Sequence, residues 1–247
     1  MYCIQEGQAV ATYICKMLTK DEIKRLAAIN AIRYVQQDMT IGIGTGSTVY
    51  WFIQELALYV QQGLSCSCVP TSKETDLLAR QMGIPMLELN DVSKIDLTID
   101  GADEIDTKLR LIKGGGSALL QEKMVAAASD KLIIIADSSK LVKQLGVFPL
   151  PVEVIPYGWK QVQRRINALY NIQTILRMKD EKPLITDHGH YILDCHFLQI
   201  QHTEELTVAL NTIPGVVDNG LFVQMAHSAI IAYPDGYVTT MSAETEN

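Results

Sequence analysis

The sequence predicts an α/β protein that carries a second, smaller α+β domain, and two observations support this. Short apolar runs alternate with helical patterns in the first part of the chain, as in βαβ units around a mostly parallel sheet. After residue 150 the order becomes strand, helix, strand, strand, helix, strand, which is typical of a ferredoxin-like βαββαβ domain. We therefore predict a Rossmann-like domain of residues 17–149 plus 226–247, a small α+β domain of residues 150–225, and an N-terminal extension of residues 1–16.

The first helix is predicted to begin near Lys20. Thr19 and Glu22 have the spacing of a capping box. Apolar side chains at positions 23, 26, 27, 31, 34 and 35 then follow at helical spacing. The residues before Met17 lie outside this pattern, so we expect Met17 to be a candidate for the natural start of the chain.

The remaining elements of the first domain follow from apolar runs and helical spacing. Strands are expected at Thr40–Ile43, Cys66–Val69, Met86–Leu89, Leu97–Ile99 and Leu132–Ile135, and helices at Val49–Leu58 and Thr75–Met82. Parallel α/β sheets bind ligands at the carboxyl ends of their strands. A glycine run, Asp100 and Asp137 all fall at such ends.

A change in sequence pattern at the proline-containing segment 148–151 marks the predicted start of the second domain. Its predicted elements, in order, are the strand Val152–Ile155, the helix Trp159–Leu169, the strands Gln173–Arg177 and Tyr191–Cys195, the helix Thr203–Asn211 and the strand Val216–Phe222. A turn at residues 187–190 precedes the third strand. Two later strands, Ser228–Ala232 and Val238–Met241, are expected to return to the first domain.

Composition excludes several classes of protein. The chain has 247 residues, of which 48% are hydrophobic, so it can bury a sizeable core. A net charge of -7 argues against a nucleic-acid surface. No apolar stretch approaches the roughly 18 residues of a membrane span, and the N-terminus lacks the basic start of a signal peptide. We predict a cytoplasmic protein with neither a nucleic acid nor a membrane as partner.

Neither the cysteines nor the histidines predict a metal site. The five cysteines have no framework spacing and indicate reduced thiols. The pair Cys66 and Cys68 could hold a metal, but a buried strand explains it better. His188 and His190 form an H-x-H pair with no evident third ligand, in a segment that already has the composition of a turn. We expect no bound metal.

The run Gly42-Ile43-Gly44-Thr45-Gly46-Ser47-Thr48 predicts a phosphate-binding loop. It follows a strand and precedes a helix, where backbone N–H groups point at a bound anion. Its spacing fits neither the dinucleotide pattern nor the P-loop. The alternative is a tight turn with no ligand.

Three further segments could carry acid–base chemistry. Asp100, Asp103 and Glu104 form an acidic turn, which is either solvated surface or a pair of carboxylates with a raised pKa in one pocket. Lys113 precedes three glycines, and Ser117 then opens a helix that contains Glu122. Taken alone, Glu122 could be ordinary surface at a helix start, and Lys140, after another strand end, could be a loop lysine.

Together these segments resemble the A-type ribose-5-phosphate isomerases. The resemblance runs from about Met17 to near Thr240. It rests on the glycine run, Asp100-Gly101-Ala102-Asp103-Glu104, Ile112-Lys113-Gly114-Gly115-Gly116, Ala136-Asp137-Ser138-Ser139-Lys140, Pro149-Leu150-Pro151-Val152-Glu153-Val154-Ile155-Pro156, Ile213-Pro214-Gly215-Val216-Val217 and Gly220-Leu221-Phe222. Departures lie in the N-terminal extension, in His188 and His190, and at residues 229–233.

The resemblance implies an enzyme that interconverts ribose 5-phosphate and ribulose 5-phosphate, with no metal or organic cofactor. It implies that Glu122 moves the proton and that Asp100, Asp103 and Lys113 line the reacting sugar. The implied substrate-binding residues are Lys24, Thr45, Gly46, Ser47, Thr48, Gly101, Ala102, Gly114, Gly115, Gly116 and Lys140. It also implies a homo-oligomer, either a dimer or a tetramer.

The implied chemistry suits these residues. Aldose–ketose exchange moves a proton between C2 and C1 through an enediolate, which one carboxylate can catalyse. Lys113 and the glycine N–H groups are candidates to stabilise the enediolate oxygen. Ribose 5-phosphate is mostly cyclic, so an acid–base group must also open the ring. Asp100 is our candidate for this step, and Asp103 is the alternative. Two other functions compete: a non-catalytic sugar-phosphate sensor, and a coenzyme A transferase with a glutamate nucleophile.

Overall fold

The structure is a computed structural model that describes residues 17–242. The helices are α1 (Lys20–Ala31), α2 (Ser47–Gln61), α3 (Lys73–Gln81), α4 (Leu119–Ala127), α5 (Trp159–Tyr170) and α6 (Thr203–Asn211). The strands are β1 (Met39–Ile43), β2 (Cys66–Pro70), β3 (Leu97–Asp100), β4 (Glu104–Ile105), β5 (Leu111–Ile112), β6 (Leu132–Asp137), β7 (Leu150–Val154), β8 (Thr174–Leu176), β9 (Met178–Lys179), β10 (Lys182–Pro183), β11 (Tyr191–Cys195), β12 (Val216–Asn219), β13 (Leu221–Phe222), β14 (Ser228–Ala232) and β15 (Val238–Ser242).

The central sheet has six strands in the order β15-β14-β6-β3-β1-β2. Its strands pair in parallel except for the edge strand β15, which is antiparallel to β14. Buried apolar side chains fill both faces, as expected when helices cover a parallel sheet. The predicted Rossmann-like α/β architecture is confirmed, and β14 and β15 return to this sheet as expected.

The chain reverses its direction of winding between β1 and β3. From β1 it crosses to β2 on one side and then passes back to β3 on the other. Crevices at such a switch point are where open α/β sheets bind ligands. The register pairs Ile43 with Ile99, so the glycine run after β1 and Asp100 at the end of β3 lie side by side.

A second sheet has four strands in the order β12-β7-β11-β8, with antiparallel pairing throughout. With α5 and α6 it forms the predicted βαββαβ arrangement, to which the short hairpin β9–β10 is added. Its core includes Val152, Ile166, Leu193 and Leu210, all fully buried. The division into two domains at residues 150 and 225 stays a prediction.

The capping box at the first helix is confirmed. The backbone N–H of Thr19 donates to the carboxylate of Glu22 over 2.7 Å, and the N–H of Glu22 donates back to the Thr19 hydroxyl. Both residues flank the start of α1 at Lys20. Capping satisfies N–H groups that would otherwise lack partners at the helix start.

Most element ends differ from the sequence predictions by no more than three residues, but three predictions need correction. Residues 86–89 form only an isolated bridge from Met86 to Cys68 and then a 3-10 turn, because the segment is too short and too exposed to extend the sheet. The predicted strand 216–222 is in fact two strands, which belong to different sheets and are divided at Gly220. The Gly220 N–H donates to the Pro151 carbonyl, and the Gly220 carbonyl accepts from the Lys113 N–H. The fourth helix begins at Leu119 rather than at Ser117, because Ser117 has a left-handed φ of 64°.

Some predicted features lie outside the described residues, among them the N-terminal extension and the last residues of the chain. Within residues 17–242, no helix is both long and apolar enough to cross a membrane. Cys66 and Cys68 are buried in β2, as the strand interpretation of this pair predicts.

Candidate active site

A cavity of about 570 Å³ opens at the carboxyl edge of the central sheet, beside the switch point. All but one of the fifteen predicted site residues line it, the exception being Asp100, which is buried behind its wall. The cavity therefore joins segments that are far apart in sequence: α1, the glycine run, the acidic turn, the triple glycine, α4 and the loop after β6.

One end of the cavity is formed by a buried ammonium group between two carboxylates. The Lys113 Nζ lies 3.0 Å from Asp100 Oδ2 and 3.1 Å from Glu122 Oε1. It also donates a hydrogen bond of 2.7 Å to the Gly101 carbonyl, and its other side faces the ring of Phe222 at 5.4 Å. The two ion pairs offset the desolvation of a charge that is almost completely buried.

These contacts shift the pKa values of the three groups. Burial raises the pKa of Glu122 to about 8, and the charge of Asp100 adds to this effect against the opposing pull of Lys113. Burial likewise raises the pKa of Asp100. For Lys113, burial acts to lower the pKa, but the two carboxylates outweigh it, so its pKa is raised and the side chain stays cationic.

Glu122 lies in the first turn of α4 and is 4% exposed. The left-handed Ser117 ends the glycine loop, and α4 begins two residues later, so the helix start directs Glu122 towards Lys113. One carboxylate oxygen contacts the ammonium group. The other, Oε2, has no hydrogen-bond partner among residues 17–242. Glu122 therefore borders the cavity that the two glycine segments also line.

The two aspartates of the acidic turn have different positions. The Asp100 carboxylate accepts backbone hydrogen bonds from Thr45 and Gly101 over 3.3 and 2.7 Å and is 1% exposed. Gly44 permits this packing, since a Cβ there would lie 2.0 Å from Asp100 Oδ1. Asp103 instead lines the cavity and accepts the N–H of Gly115 over 2.7 Å. Only Asp103 of the pair reaches the open space.

The start of α2, which also lines the cavity, is suited to an anion. Gly46 precedes α2 with a φ of 119°, a conformation that favours glycine, and Ser47 and Thr48 form the first turn of the helix. The first N–H groups of a helix have no partners within it and attract negative charge. The first turn of α2 also contains no acidic residue. A phosphate group fits this end.

Thr45 holds the glycine run in place through its hydroxyl group. The Thr45 Oγ1 lies 2.7 Å from the hydroxyl of Thr71, 2.9 Å from that of Ser72 and 3.2 Å from that of Thr75. Thr75 in turn donates to the Gly44 carbonyl. The Thr45 hydroxyl is thus engaged with the loop after β2 and with the first turn of α3.

Three lysines line the cavity. They are Lys24 and Lys140, which the family resemblance implies as substrate-binding residues, and Lys20. Sequence reasoning missed Lys20, although it lies one helical turn before Lys24 and therefore on the same face of α1. The predicted site residues also leave out Ile23 and Pro234, and they leave out Asp137, Ser138 and Ser139 although the sequence places this segment at a strand end.

The histidine pair forms no ligand cluster. The His190 Nδ1 atom lies 2.9 Å from the carboxylate of the buried Glu153, and the backbone N–H of His190 donates to the Thr186 hydroxyl. Within the described part of the chain, no group of three or more histidine, cysteine or acidic side chains is placed to hold a metal ion.

This chain is similar in sequence and structure to known proteins. A family model described as "Ribose 5-phosphate isomerase A (phosphoriboisomerase A)" matches residues 67–236. The ribose-5-phosphate isomerase A of Bacillus mycoides is 54% identical over 215 residues, which cover 87% of this chain and 97% of that protein.

Solved structures agree with this match. Ribose 5-phosphate isomerase from Plasmodium falciparum superposes with a TM-score of 0.88 at 40% identity, covering 91% of this chain and 100% of that one. A D-ribose-5-phosphate isomerase in complex with phospho-erythronic acid also gives a TM-score of 0.88, at 39% identity and the same coverage of both chains. This chain therefore belongs to the ribose 5-phosphate isomerase A family.

Proposed function

We propose that this protein interconverts D-ribose 5-phosphate and D-ribulose 5-phosphate through an enediolate. The observation that carries the proposal is the lining of the cavity, which combines a buried carboxylate–ammonium cluster with a helix N-terminus and lysines. A pentose phosphate has the matching groups, namely reacting carbons that need a base and a cation, and a phosphate that needs N–H donors and positive charge. Membership of the family supports the same reaction.

Glu122 is the proposed base that carries the proton between C2 and C1. Its side chain borders the cavity, and its buried Oε2 has no hydrogen-bond partner among the described residues, so it can accept a proton. A base is most effective when its pKa lies near the working pH, and burial brings the pKa of Glu122 to about 8. The same carboxyl can then return the proton to the neighbouring carbon.

Lys113 is the proposed partner of the charge that develops on the enediolate oxygen. Its ammonium group is already fixed by two carboxylates and a backbone carbonyl, so little rearrangement is needed as the charge develops. Its raised pKa keeps it cationic while Glu122 gains and loses a proton. Asp100 contributes by holding Lys113 in place.

Ring opening is better assigned to Asp103 than to Asp100. Our sequence-based candidate, Asp100, is buried behind the cavity wall and engaged with Lys113 and two backbone N–H groups. The Asp103 carboxylate borders the open space. A group that exchanges a proton with the ring oxygen must come within hydrogen-bonding distance of it, and this requirement favours Asp103.

The phosphate is proposed to bind at the start of α2, with Lys24 and Lys140 as cationic partners and Lys20 at the rim. Anchoring the substrate far from its reacting carbons fixes their position against Glu122. Orientation of this kind can remove several kcal/mol from a reaction barrier.

A direct assay tests the proposal. Purified protein treated with EDTA is mixed with ribose 5-phosphate, and formation of ketose is followed, with the Glu122→Gln variant as the control. We expect turnover by the wild-type protein and at least ~10²-fold less by the variant. Binding of ribose 5-phosphate without turnover would indicate the sensor alternative. A covalent glutamyl adduct after incubation with acyl-CoA would indicate the transferase.

Two further properties are proposed, an oligomeric state and a location. The family resemblance suggests a homodimer or homotetramer, which light scattering coupled to gel filtration would measure. A cytoplasmic location agrees with the free thiols of Cys66, Cys68 and Cys195. Fractionation of the source cells would test it.

A further inference from the structure

Arg177, which directly follows strand β8 of the four-stranded sheet, contacts the triple-glycine loop of the site. The Arg177 Nη1 donates to the Gly114 carbonyl over 2.6 Å, to the Gly115 carbonyl over 3.2 Å and to the Ser117 hydroxyl over 3.0 Å. Arg177 follows β8, so more than 60 residues of chain separate it from the loop that it holds. No signal in the sequence pattern predicts this contact.

Arg177 is itself held in a fixed orientation. Asp194 in β11 accepts from Nε over 3.0 Å and from Nη2 through its second oxygen, which makes a bidentate pair. The two side chains are 13% and 20% exposed. Such a pair fixes the plane of the guanidinium group, and so fixes the direction in which Nη1 points.

The contact determines where the loop's N–H groups point. A trans peptide is planar, and its C=O and N–H point in opposite directions. The Gly114 carbonyl accepts from Arg177, and the N–H of the same peptide, on Gly115, donates to Asp103. The Gly115 carbonyl also accepts from Arg177, so the N–H of Gly116 points away from the guanidinium group.

The Gly116 N–H is placed to act on the substrate. Gly116 lines the cavity, and its N–H has no hydrogen-bond partner among the residues that the structure describes. A cation bonded to a peptide carbonyl polarises that peptide and makes its N–H a stronger donor. Preorganised N–H groups of this kind stabilise oxyanions in transition states.

We propose that Arg177, oriented by Asp194, is a positioning residue for the isomerisation. It aligns the peptides of the glycine loop so that the Gly116 N–H meets the developing enediolate oxygen while the Gly115 N–H holds Asp103. Arg177 does not line the cavity and acts through the loop. The inference rests on the proposed isomerase function and deepens it.

The test compares two arginines that each form a shielded pair with an aspartate. Arg177→Ala removes the loop contact. Arg110→Ala is the matched control, because Arg110 pairs with Asp106 at 17% and 1% exposure and does not line the cavity. For both variants we measure kcat and KM for ribose 5-phosphate, inhibition by phospho-erythronic acid, whose carboxylate resembles the enediolate, and inhibition by inorganic phosphate.

For Arg177→Ala we expect kcat to fall ~10- to 100-fold while KM changes less than ~3-fold, as for an interaction made only in the transition state. Phospho-erythronic acid should bind more weakly by a similar factor, and phosphate should bind as before. Added guanidinium at tens of millimolar should restore part of kcat to Arg177→Ala only. Arg110→Ala should keep kcat within ~3-fold of wild type.

The outcomes separate the two proposals. A wild-type protein without isomerase activity overturns the proposed function and this inference with it. Active wild-type protein with an Arg177→Ala variant of unchanged kcat overturns only the positioning role, as does equal weakening of phosphate and phospho-erythronic acid. If circular dichroism shows that Arg177→Ala does not fold, Asp194→Asn, which keeps the side-chain shape, takes its place. The positioning role then requires that Asp194→Asn weakens inhibition by phospho-erythronic acid more than inhibition by phosphate, and equal weakening overturns it.

Discussion

The carboxylate of Glu122 lies 3.1 Å from the ammonium group of Lys113, and both side chains are almost completely buried. Two effects oppose each other in this pair. Burial favours the neutral carboxyl, whereas the ammonium group favours the carboxylate, and burial together with the charge of Asp100 prevails. Glu122 can therefore exchange a proton near neutral pH, as a base that must both take and return one requires.

The first prediction concerns removal of the base. Glu122→Gln keeps the shape of the side chain, so we expect an intact fold, near-normal binding of inorganic phosphate and turnover lowered at least ~10²-fold. Steady-state kinetics measures the loss. Glu55→Gln serves as the control, since Glu55 is also largely buried and paired with a cation, Arg25, but lies outside the cavity. Unchanged turnover in Glu122→Gln would reject the base assignment.

The second prediction is a pH profile. A base must be ionised in the free enzyme, so kcat/KM should rise with pH towards a midpoint near 8 rather than near the ordinary carboxyl value of 4.5. Asp100→Asn should move this midpoint to lower pH, because the charge of Asp100 contributes to the raised pKa. A midpoint near 6 that Asp100→Asn leaves in place would report ionisation of the substrate phosphate instead.

The third prediction links the same group to stability. Below about pH 4.5 Glu122 is protonated in both folded and unfolded chains, but up to about pH 8 only the folded chain retains the proton. Stability is therefore lost as the pH rises through this window and stays lost above it. Glu122→Gln removes the effect, so its free energy of unfolding relative to wild type should increase by about 1–3 kcal/mol from pH 5 to 8.5.

Urea unfolding at several pH values measures this difference. Glu55→Gln, which makes the same substitution outside the cavity, is measured in parallel as the control. A stability difference between wild type and Glu122→Gln that does not depend on pH would mean that Glu122 is ionised in the folded protein at every pH tested.

The fourth prediction concerns the phosphate end. Lys140→Ala removes a cation from the cavity, so KM for ribose 5-phosphate should rise about 10-fold or more, with a smaller fall in kcat if the anchor tightens in the transition state. Lys143→Ala is the control, since Lys143 is exposed nearby but does not line the cavity. If Lys140→Ala and Lys143→Ala have the same kinetics as wild type, Lys140 is a surface residue.

The fifth prediction separates ring opening from proton transfer. Ribulose 5-phosphate cannot close a furanose ring because its O5 carries the phosphate, so exchange of its C1 proton with deuterated solvent needs only enolisation. Asp103→Asn should slow isomerisation of ribose 5-phosphate at least ~10-fold more than it slows this exchange. Asp100→Asn should slow both reactions alike, through Lys113. The reverse pattern would return ring opening to Asp100.

The sequence by itself determined the architecture and most of the site. Alternating apolar runs and helical patterns predict the parallel sheet because buried strands and amphipathic helices leave different periodicities in the chain. The motifs around Gly46, Asp103, Lys113 and Glu122 are short local segments of the sequence, and their resemblance to a known family identified them as candidate site residues. Lys20 could have been found too, since it shares a helix face with Lys24.

Only the tertiary structure decided how these groups act on one another. Burial, which raises the pKa of Glu122, depends on the packing of α4 against strands distant in sequence, and the different depths of Asp100 and Asp103 depend on the path of one turn. The contact of Arg177 with the glycine loop joins segments that adjoin two different sheets, and no periodic pattern in the sequence predicts it. Spacing along a chain records local geometry, whereas dielectric environment and long-range contacts exist only after the chain has folded.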